Sequence, residues 1–317
     1  MSADRRARRL LGALPTLLIV GGAIALGIRE RTTFTQAVDL VARSGSILWV
    51  VAFGVLVAGR GVLAGTSFVV ATRHLAGAPS GAAAFAWMRS AVAKYVPGAI
   101  WYPLTAVDRL RRYGVGGHQA AAAFYVDAVG SIVAAVIIGA IALPAFIAAE
   151  AQTAAWLLVA IPATLSLHPR VFAWALRVIG RLMRRPIDDV ALQWRTVAGV
   201  VALHIGSWLG AGVAVQLLLR ALDADASWSL VLAATALSWA AGLLAVPVPA
   251  GLGIREAALV ALLVGEISTA IAVAVALGSR ALFVGLDVLC LLVSFPVAAF
   301  VTRRSATTNT GRRPAPG

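Results

Sequence analysis

Charged residues are scarce in this sequence, and acidic ones most of all. Asp, Glu, Lys and Arg make up 13% of the 317 residues, whereas soluble domains carry roughly a quarter. Hydrophobic residues make up 61%, and several apolar runs approach the ~20 residues that cross a bilayer as a helix. This composition excludes an ordinary soluble domain and predicts an all-α, polytopic membrane protein.

Residues that form disulfides or bind metals are scarce as well. Cys290 is the single cysteine and lies in an apolar run, so no disulfide can form within the chain. The four histidines stand far apart and lack the HExxH spacing of zinc proteases. We therefore expect neither a metal site nor a cofactor.

Basic residues outnumber acidic ones by 27 to 13, which gives a net charge of +14. Most of them lie at the termini and in short loops, where they orient a membrane protein and attract anionic head groups. No nucleic-acid-binding motif accompanies them, so the expected partners are membrane lipids with anionic head groups and not nucleic acid. The basic segments 1–9, 73–117 and 168–195 alternate with less basic loops, which predicts that both termini are cytoplasmic.

About eight crossings are predicted within one transmembrane domain over residues 10–302. The apolar runs are 10–28, 46–72, 119–143, 153–167, 196–219, 228–246, 257–277, which is interrupted at Gly265-Glu266, and 281–301. Residues 1–9 form a basic cytoplasmic N-terminus, and the polar residues 303–317 are expected to be a disordered cytoplasmic tail. The Arg-rich stretch 170–185 is either a helix on the membrane surface or an extension of the fourth crossing.

Two segments interrupt the apolar pattern with proline and glycine. The first is 93–101, Ala-Lys-Tyr-Val-Pro-Gly-Ala-Ile-Trp, and the second is 246–256, Val-Pro-Val-Pro-Ala-Gly-Leu-Gly-Ile-Arg-Glu. Irregular backbone at membrane depth survives only where it is buried in protein or lines a wet cavity. Paired broken segments in two halves of a chain indicate a transporter's binding site and fit an inverted repeat; chance similarity between two Pro-Gly turns is the alternative.

The candidate substrate-binding residues lie in these two broken segments. A helix begins near Arg255 and Glu256, and free N–H groups at a helix start favour an anion. The structural alternative is that Glu256 complements the helix dipole while Arg255 reaches the interface. The predicted substrate-binding residues are Lys94, Tyr95, Pro97, Gly98, Gly251, Gly253, Arg255 and Glu256.

Ionisable residues within the apolar runs cost roughly 2.5–3.5 kcal/mol each at mid-span, so they usually face protein or water. The residues predicted to shape a polar cavity are Arg60, Asp127, Arg280 and Asp287. The alternative is structural ion pairing, for example of Arg60 with Asp127. His204 is expected to be a hydrogen-bonded packing residue rather than a ligand.

Several blocks of the sequence resemble the lysylphosphatidylglycerol synthase transmembrane-region family of flippase-like membrane proteins. They are Lys94–Gly98, Arg111–Gly114 and above all Pro249–Glu256 with the Ala-Ala-Leu that follows it, and the resemblance covers roughly residues 10–302. It implies a bacterial inner-membrane protein of about eight helices with re-entrant segments. In the best-understood members this region moves an aminoacylated phosphatidylglycerol to the outer leaflet, and other relatives are associated with polyprenyl-linked sugars.

Two departures from the family pattern bear on the function. Members that make the aminoacylated lipid carry a soluble aminoacyltransferase domain after the membrane region, whereas this sequence ends 16 residues after Val301. We therefore expect no synthase activity. Relatives often begin the third span with a Glu-Arg pair, and here Asp127 keeps the acid without its basic neighbour.

The expected function is the movement of an anionic lipid between leaflets without catalysis. The lipid is either an aminoacyl-phospholipid or a polyprenyl-linked glycolipid, and Arg255 pairs with its phosphate. One alternative is a membrane-embedded transferase, but the only adjacent carboxylates are Asp188 and Asp189, which follow a basic stretch. The other is an accessory scaffold subunit of a cell-envelope complex. Further expected partners are a second copy of the chain or a cell-envelope synthesis protein.

Overall fold

The computed structural model of the protein describes residues 31–96, 100–142, 192–244 and 249–310, together with positions 168, 170, 171 and 174. Within these ranges the chain is helical apart from short turns, and no strand occurs. The predicted crossings at 10–28 and 153–167 lie outside the described residues, as does most of the Arg-rich stretch 170–185. Pro97 and Gly98 also lie outside them.

Most of the described helices follow the apolar runs of the sequence, but three shorter ones, at 31–43, 80–90 and 101–111, lie outside these runs. The described helices are α1 (Arg31–Arg43), α2 (Ser46–Leu56, Val57–Leu63 and Ala64–Ala76 in continuous succession), α3 (Ser80–Ser90), α4 (Trp101–Arg111), α5 (Gly117–Ala142), α6 (Trp194–Ala221), α7 (Trp228–Leu244), α8 (Ile254–Leu263) and α9 (Thr269–Thr310). Two 3₁₀ turns, Ala91–Tyr95 and Pro249–Gly251, fall in the two broken segments.

Four of these helices are long and apolar enough to cross a membrane. The candidate spans are Ile47–Ala76, Gly117–Ala142, Trp194–Ala221 and Thr269–Phe295, and Trp228–Leu243 is a shorter apolar helix. The prediction of a polytopic helical membrane protein is therefore confirmed. The total of about eight crossings stays a prediction, because two of the predicted crossings lie outside the described residues.

Glycine allows the central helices to approach each other closely. A Cβ atom on Gly59 of α2 would lie 2.7 Å from the Cα atom of Gly210 of α6, so the two backbones touch. Helices in a bilayer gain little from the hydrophobic effect and rely on such close packing. Nearby, Trp208 is fully buried in a core cluster formed by residues of α2, α5, α6, α7 and α9.

α2 contains a wide turn in the middle of its length. Val57–Leu63 is π-helical, with Arg60 at its centre, and α-helix continues on both sides. In a π-helix each N–H bonds the carbonyl five residues earlier, so the turn is wider than that of an α-helix. Such interruptions are frequent at functional sites.

The order of elements repeats in the two halves of the described chain. In the first half, the turn Ala91–Tyr95 precedes α4 of 11 residues, which is followed by a short connection and the long helix α5. In the second half, the turn Pro249–Gly251 precedes α8 of 10 residues, again followed by a short connection and the long helix α9. This repetition supports an internal repeat, and its inverted orientation stays a prediction.

α9 differs from the two crossings predicted for this part of the sequence. The break falls at 264–268, as Gly265-Glu266 indicated, but residues 269–310 form one continuous helix. Gly278-Ser279-Arg280 resembles a loop because it is polar and contains glycine. In the structure Gly278 packs against the Trp49 ring and the Ser279 hydroxyl donates to the Ala276 carbonyl at 2.9 Å, so the helix continues through all three residues. The predicted domain boundaries stay predictions, although the α9 backbone extends past residue 303.

Glu266, in the turn between α8 and α9, accepts hydrogen bonds from the residue that precedes α7. Its carboxylate accepts hydrogen bonds from the backbone N–H of Ser227 at 2.6 Å and from the Ser227 hydroxyl at 2.7 Å. Ser227 immediately precedes α7, where backbone N–H groups lack partners within the helix. The carboxylate therefore caps α7 from outside the helix.

Replacing Glu266 with alanine is expected to lower the free energy of unfolding by about 1 kcal/mol, as the loss of other N-terminal caps does. Denaturant titration in detergent micelles measures the change. Asp39→Ala, at an exposed position of α1, serves as the control and is expected to leave the unfolding midpoint unchanged. Equal shifts for the two variants would show that Glu266 does not cap α7.

Candidate functional site

The two broken segments meet in the structure. The turn Ala91–Tyr95 contacts both the turn Pro249–Gly251 and α9. Contacts join five side chains here, and the link between the two segments is the Arg280 guanidinium carbon, 5.6 Å from the Tyr95 ring centroid. Arg255 stacks on Phe283 of α9. Together these residues form what we call the polar cluster: Lys94, Tyr95, Arg255, Glu256, Arg280 and Asp287. Four of them were predicted to bind substrate and two to shape a polar cavity, so the structure unites two predicted sets.

Asp287 of α9 holds the first broken segment. Its carboxylate oxygens each lie 2.8 Å from Lys94 Nζ, and the Tyr95 hydroxyl donates to Oδ2 at 2.6 Å. Asp287 is 6% exposed. A buried carboxylate needs a counter-ion and hydrogen-bond donors, and the 3₁₀ turn supplies both from consecutive residues.

Arg280, two turns earlier in α9, holds the second broken segment. Its Nη1 atom lies 3.3 Å from Glu256 Oε1 and donates to the carbonyl of Ala250 at 3.0 Å. Ala250 has φ +49°, in the left-handed region that alanine rarely adopts. A backbone held in this region needs support from its surroundings, and the Arg280 hydrogen bond contributes to it.

Glu256 also organises the start of α8. Its Oε2 atom accepts a hydrogen bond of 2.7 Å from the backbone N–H of Gly253, which has φ +80°. Gly253 has no side chain to return such a bond, so the cap is made by Glu256 alone. This bears out the structural role that the sequence allowed for Glu256, and its pairing with Arg280 adds a second one.

Gly251 permits the second broken segment to lie directly on α7. It has φ +65°, and a Cβ atom there would lie 2.6 Å from the Cα atom of Gly242 and 2.8 Å from its carbonyl oxygen. Both the backbone conformation and the lack of space therefore require glycine.

Arg255 differs from the other cations of the polar cluster because no acid among the described residues forms an ion pair with it. The residue is 8% exposed and lies in the first turn of α8. Its guanidinium carbon is 3.9 Å from the centroid of the Phe283 ring. Among the residues that the structure describes, the guanidinium donates no hydrogen bond and forms no ion pair. The neighbouring carboxylates of Glu256 and Asp287 are engaged by Arg280 and Lys94.

Arg60 faces two aromatic rings instead of an acid. Its guanidinium carbon lies 4.3 Å from the ring centroid of Trp208 and 4.9 Å from that of Trp239. Its Nη1 atom donates to the hydroxyl of Ser207 at 3.1 Å. Stacking of a cation on tryptophan is favourable when the pair is shielded from water.

Asp127 lies in a separate buried network. Its Oδ1 atom accepts a hydrogen bond of 2.6 Å from the Ser67 hydroxyl and lies 3.0 Å from His204 Nε2. The ion pair suggested between Arg60 and Asp127 is therefore not formed, because Asp127 faces Ser67, two turns beyond Arg60 on α2. His204 is 2% exposed and hydrogen-bonded, as its interpretation as a packing residue requires.

Sequence reasoning missed Phe283, Trp208 and Trp239, the aromatic partners of the two arginines. An aromatic residue in an apolar run looks like any other packing residue. The separation of Arg60 from Trp208 and Trp239 along the chain follows no periodicity that would connect them. Among the described residues, no three His, Cys, Asp or Glu side chains are grouped as a metal ion would need.

One comparison with known proteins gives a match. The model of the family described as "Lysylphosphatidylglycerol synthase TM region" matches residues 77–289, which span both broken segments, the whole of α8 and the polar cluster. A search of the curated proteins finds no match.

Proposed function

The chain belongs to the lysylphosphatidylglycerol synthase transmembrane-region family, and from this membership we propose that it moves an anionic lipid between the leaflets of a membrane. Members of this family are membrane proteins related to lipid handling. The chemistry of the polar cluster supports the movement of an anionic lipid in particular. The proposed activity involves no catalytic step.

Arg255 is the observation that carries this proposal. An unpaired buried charge strongly destabilises a fold, so a buried charge is usually paired with an opposite one. Here the guanidinium lies at a helix start, where the N–H groups and the positive end of the helix dipole also favour an anion. A lipid phosphate placed at this position would pair with the guanidinium and accept hydrogen bonds from the N–H groups at the helix start.

The placement of Arg255 also suits an amphiphilic ligand. The polar cluster lies between the two broken segments and α9, whereas α9 exposes large apolar side chains such as Leu292 and Phe295 farther along. A lipid can leave its acyl chains among apolar surfaces while its head group lies at the cluster. Arg60 and Asp127 are further polar positions within the same helical bundle.

We propose a bacterial inner membrane as the location, with both termini in the cytoplasm. The support is the alternation of basic and less basic segments along the sequence, since positive loops remain on the cytoplasmic side. This orientation places the basic loop between α4 and α5 on the cytoplasmic side. A second copy of the chain or a cell-envelope synthesis protein is proposed as a further partner.

Transbilayer movement of labelled lipid in reconstituted vesicles tests the proposal. Vesicles would contain phosphatidylglycerol, its lysyl ester or a polyprenyl phosphate, each labelled in its apolar part, and a membrane-impermeant quencher would report the outer leaflet. The purified protein is expected to accelerate the movement of at least one of these lipids over protein-free vesicles. Arg255→Ala should slow it by about tenfold or more, the loss of a contact worth about 1.4 kcal/mol.

The matched control is Arg220→Ala, because Arg220 is exposed at the end of α6. It removes the same charge and should leave the rate unchanged. If the wild-type protein moves none of the three lipids faster than protein-free vesicles, the proposed function is wrong. If Arg255→Ala moves them at the wild-type rate, Arg255 is not the phosphate site.

A further inference from the structure

The acidic side chains of the polar cluster restrict which lipid head groups can bind there. An aminoacylated phosphatidylglycerol carries a phosphate and at least one ammonium group. A site built for it needs a free cation for the phosphate and a free carboxylate for the ammonium group, because buried charges require partners.

Both carboxylates of the cluster already have cationic partners within the protein. Asp287 is bonded by Lys94 and by the Tyr95 hydroxyl. Glu256 accepts the Gly253 N–H on Oε2, and its buried Oε1 atom is ion-paired with Arg280 Nη1 at 3.3 Å without accepting a hydrogen bond from the described residues. Neither carboxylate is available to an ammonium group unless an internal ion pair breaks.

Asp127, the remaining carboxylate in the described helical core, does not change this conclusion. It is bonded to Ser67 and lies against His204, on the face of α5 toward α2 and α6. It is 9% exposed. Both contacts are made to its Oδ1 atom, and the carboxylate lies in a network separate from the polar cluster, so it supplies no acid beside Arg255.

The cations of the same region exceed the acids. Lys94 and Arg280 are matched by Asp287 and Glu256, whereas Arg255 is nine-tenths buried without an acidic partner among the described residues. Arg60, like Arg255, lies within electrostatic range of Lys94, and it is also within range of the carboxylates of Asp127 and Asp287. The field at the cluster is therefore positive, which attracts a phosphate and repels an ammonium group.

From this arrangement we infer that the site selects lipids whose head group carries a phosphate and no ammonium group, and that it rejects aminoacylated phospholipids. The inference rests on the proposed function and makes it more specific. The shared chemistry of the accepted ligands is an uncompensated phosphate ester, as in phosphatidylglycerol or a polyprenyl phosphate.

The test compares two lipids that differ only in a lysyl group, which carries two ammonium groups. Phosphatidylglycerol and its lysyl ester, with identical acyl chains and tail label, are reconstituted with the wild-type protein in separate phosphatidylcholine vesicles. Phosphatidylglycerol is expected to move at least about tenfold faster. Equal rates, or faster movement of the lysyl ester, would overturn the inference while leaving lipid movement intact. Movement of neither lipid, nor of polyprenyl phosphate, would overturn the proposed function as well.

A variant that releases a carboxylate gives a second, independent measurement. Lys94→Met leaves Asp287 without its counter-ion, so an ammonium group can take the vacated place. The ratio of the two transport rates is expected to fall by about tenfold relative to wild type. Because both rates come from one protein preparation, partial loss of folded protein cancels in the ratio. An unchanged ratio in Lys94→Met would overturn the inference.

Two further measurements separate charge at the site from other causes. Arg220→Gln removes an exposed cation outside the cluster and should keep the wild-type ratio; a fall equal to that of Lys94→Met would show that overall charge sets the preference. Glycerol phosphate added in solution at the concentration of the labelled lipid should leave the phosphatidylglycerol rate unchanged. Slowing to the protein-free rate would show that the site takes a soluble phosphate and would overturn its assignment to a lipid.

Discussion

Replacing Asp287 with alanine is expected to lower the free energy of unfolding by about 3 kcal/mol. Breaking a buried ion pair from one side typically costs about 3–5 kcal/mol, because the other charge is left without a partner. The lower end applies here, since 33% of the Lys94 side chain is exposed and can recover some hydration. Tyr95 would lose its acceptor at the same time. Denaturant titration of the purified protein in detergent micelles measures the change.

The double variant Lys94→Met/Asp287→Leu distinguishes the loss of a counter-ion from the loss of side-chain volume. With both charges gone, no buried ion remains unpaired, and apolar replacement of a buried pair is often close to neutral. We expect the double variant to recover most of the stability that Asp287→Ala loses. If Asp287→Ala unfolds at the wild-type midpoint, the ion pair does not hold the first broken segment against α9.

Replacing Gly251 with alanine is expected to lower the free energy of unfolding by about 2–5 kcal/mol. The left-handed conformation costs a residue with a Cβ atom about 1–2 kcal/mol, and Gly251 has φ +65°. Overpacking adds roughly 1–3 kcal/mol, because the new Cβ atom would lie 2.6 Å from the Gly242 backbone, which cannot turn aside as a side chain can. The same unfolding titration measures the total.

Gly77 offers a control that separates the two contributions. It has φ +61°, but a Cβ atom there would have no heavy atom within 4 Å. Gly77→Ala should therefore cost only the conformational part, about 1–2 kcal/mol. The difference between the two variants gives the cost of the clash with α7. If both variants lose the same stability, the close approach of Gly251 to Gly242 does not contribute.

The position of the polar cluster could be predicted from the sequence because of the cost of burying charge. Lys94, Arg255, Arg280 and Asp287 stand in or beside apolar runs, where each must face protein or water. Charged side chains that must avoid lipid are expected to group together inside the protein. The Pro-Gly breaks mark where the backbone leaves room for such a group. The structure brings members of both predicted sets into contact, whereas Arg255 stacks on Phe283 and Arg60 and Asp127 lie outside the cluster. The residues in contact are Lys94, Tyr95, Glu256, Arg280 and Asp287.

The choice of partners could not be predicted, because opposite charges attract without regard to sequence separation. Lys94 and Asp287 are 193 positions apart, and the sequence equally allowed Arg60 to pair with Asp127. The pairing of these charges is decided by which helix faces are in contact, and those faces depend on the packing of whole helices. The continuity of α9 was missed for a similar reason: Gly278 looks like a break, but it accommodates the Trp49 ring.

The wide turn at Val57–Leu63 fixes the angular phase between the two halves of α2. The first half directs Trp49 and Phe53 onto glycines of α9, whereas the second half directs Ser67 at Asp127 of α5. Each residue of an α-helix advances the chain by about 100° around its axis, so a single residue more or fewer here would rotate one half away from its neighbour. The π-helical turn thus sets the rotation of one half of α2 relative to the other, and it allows one membrane-spanning helix to present different faces to α9 and α5.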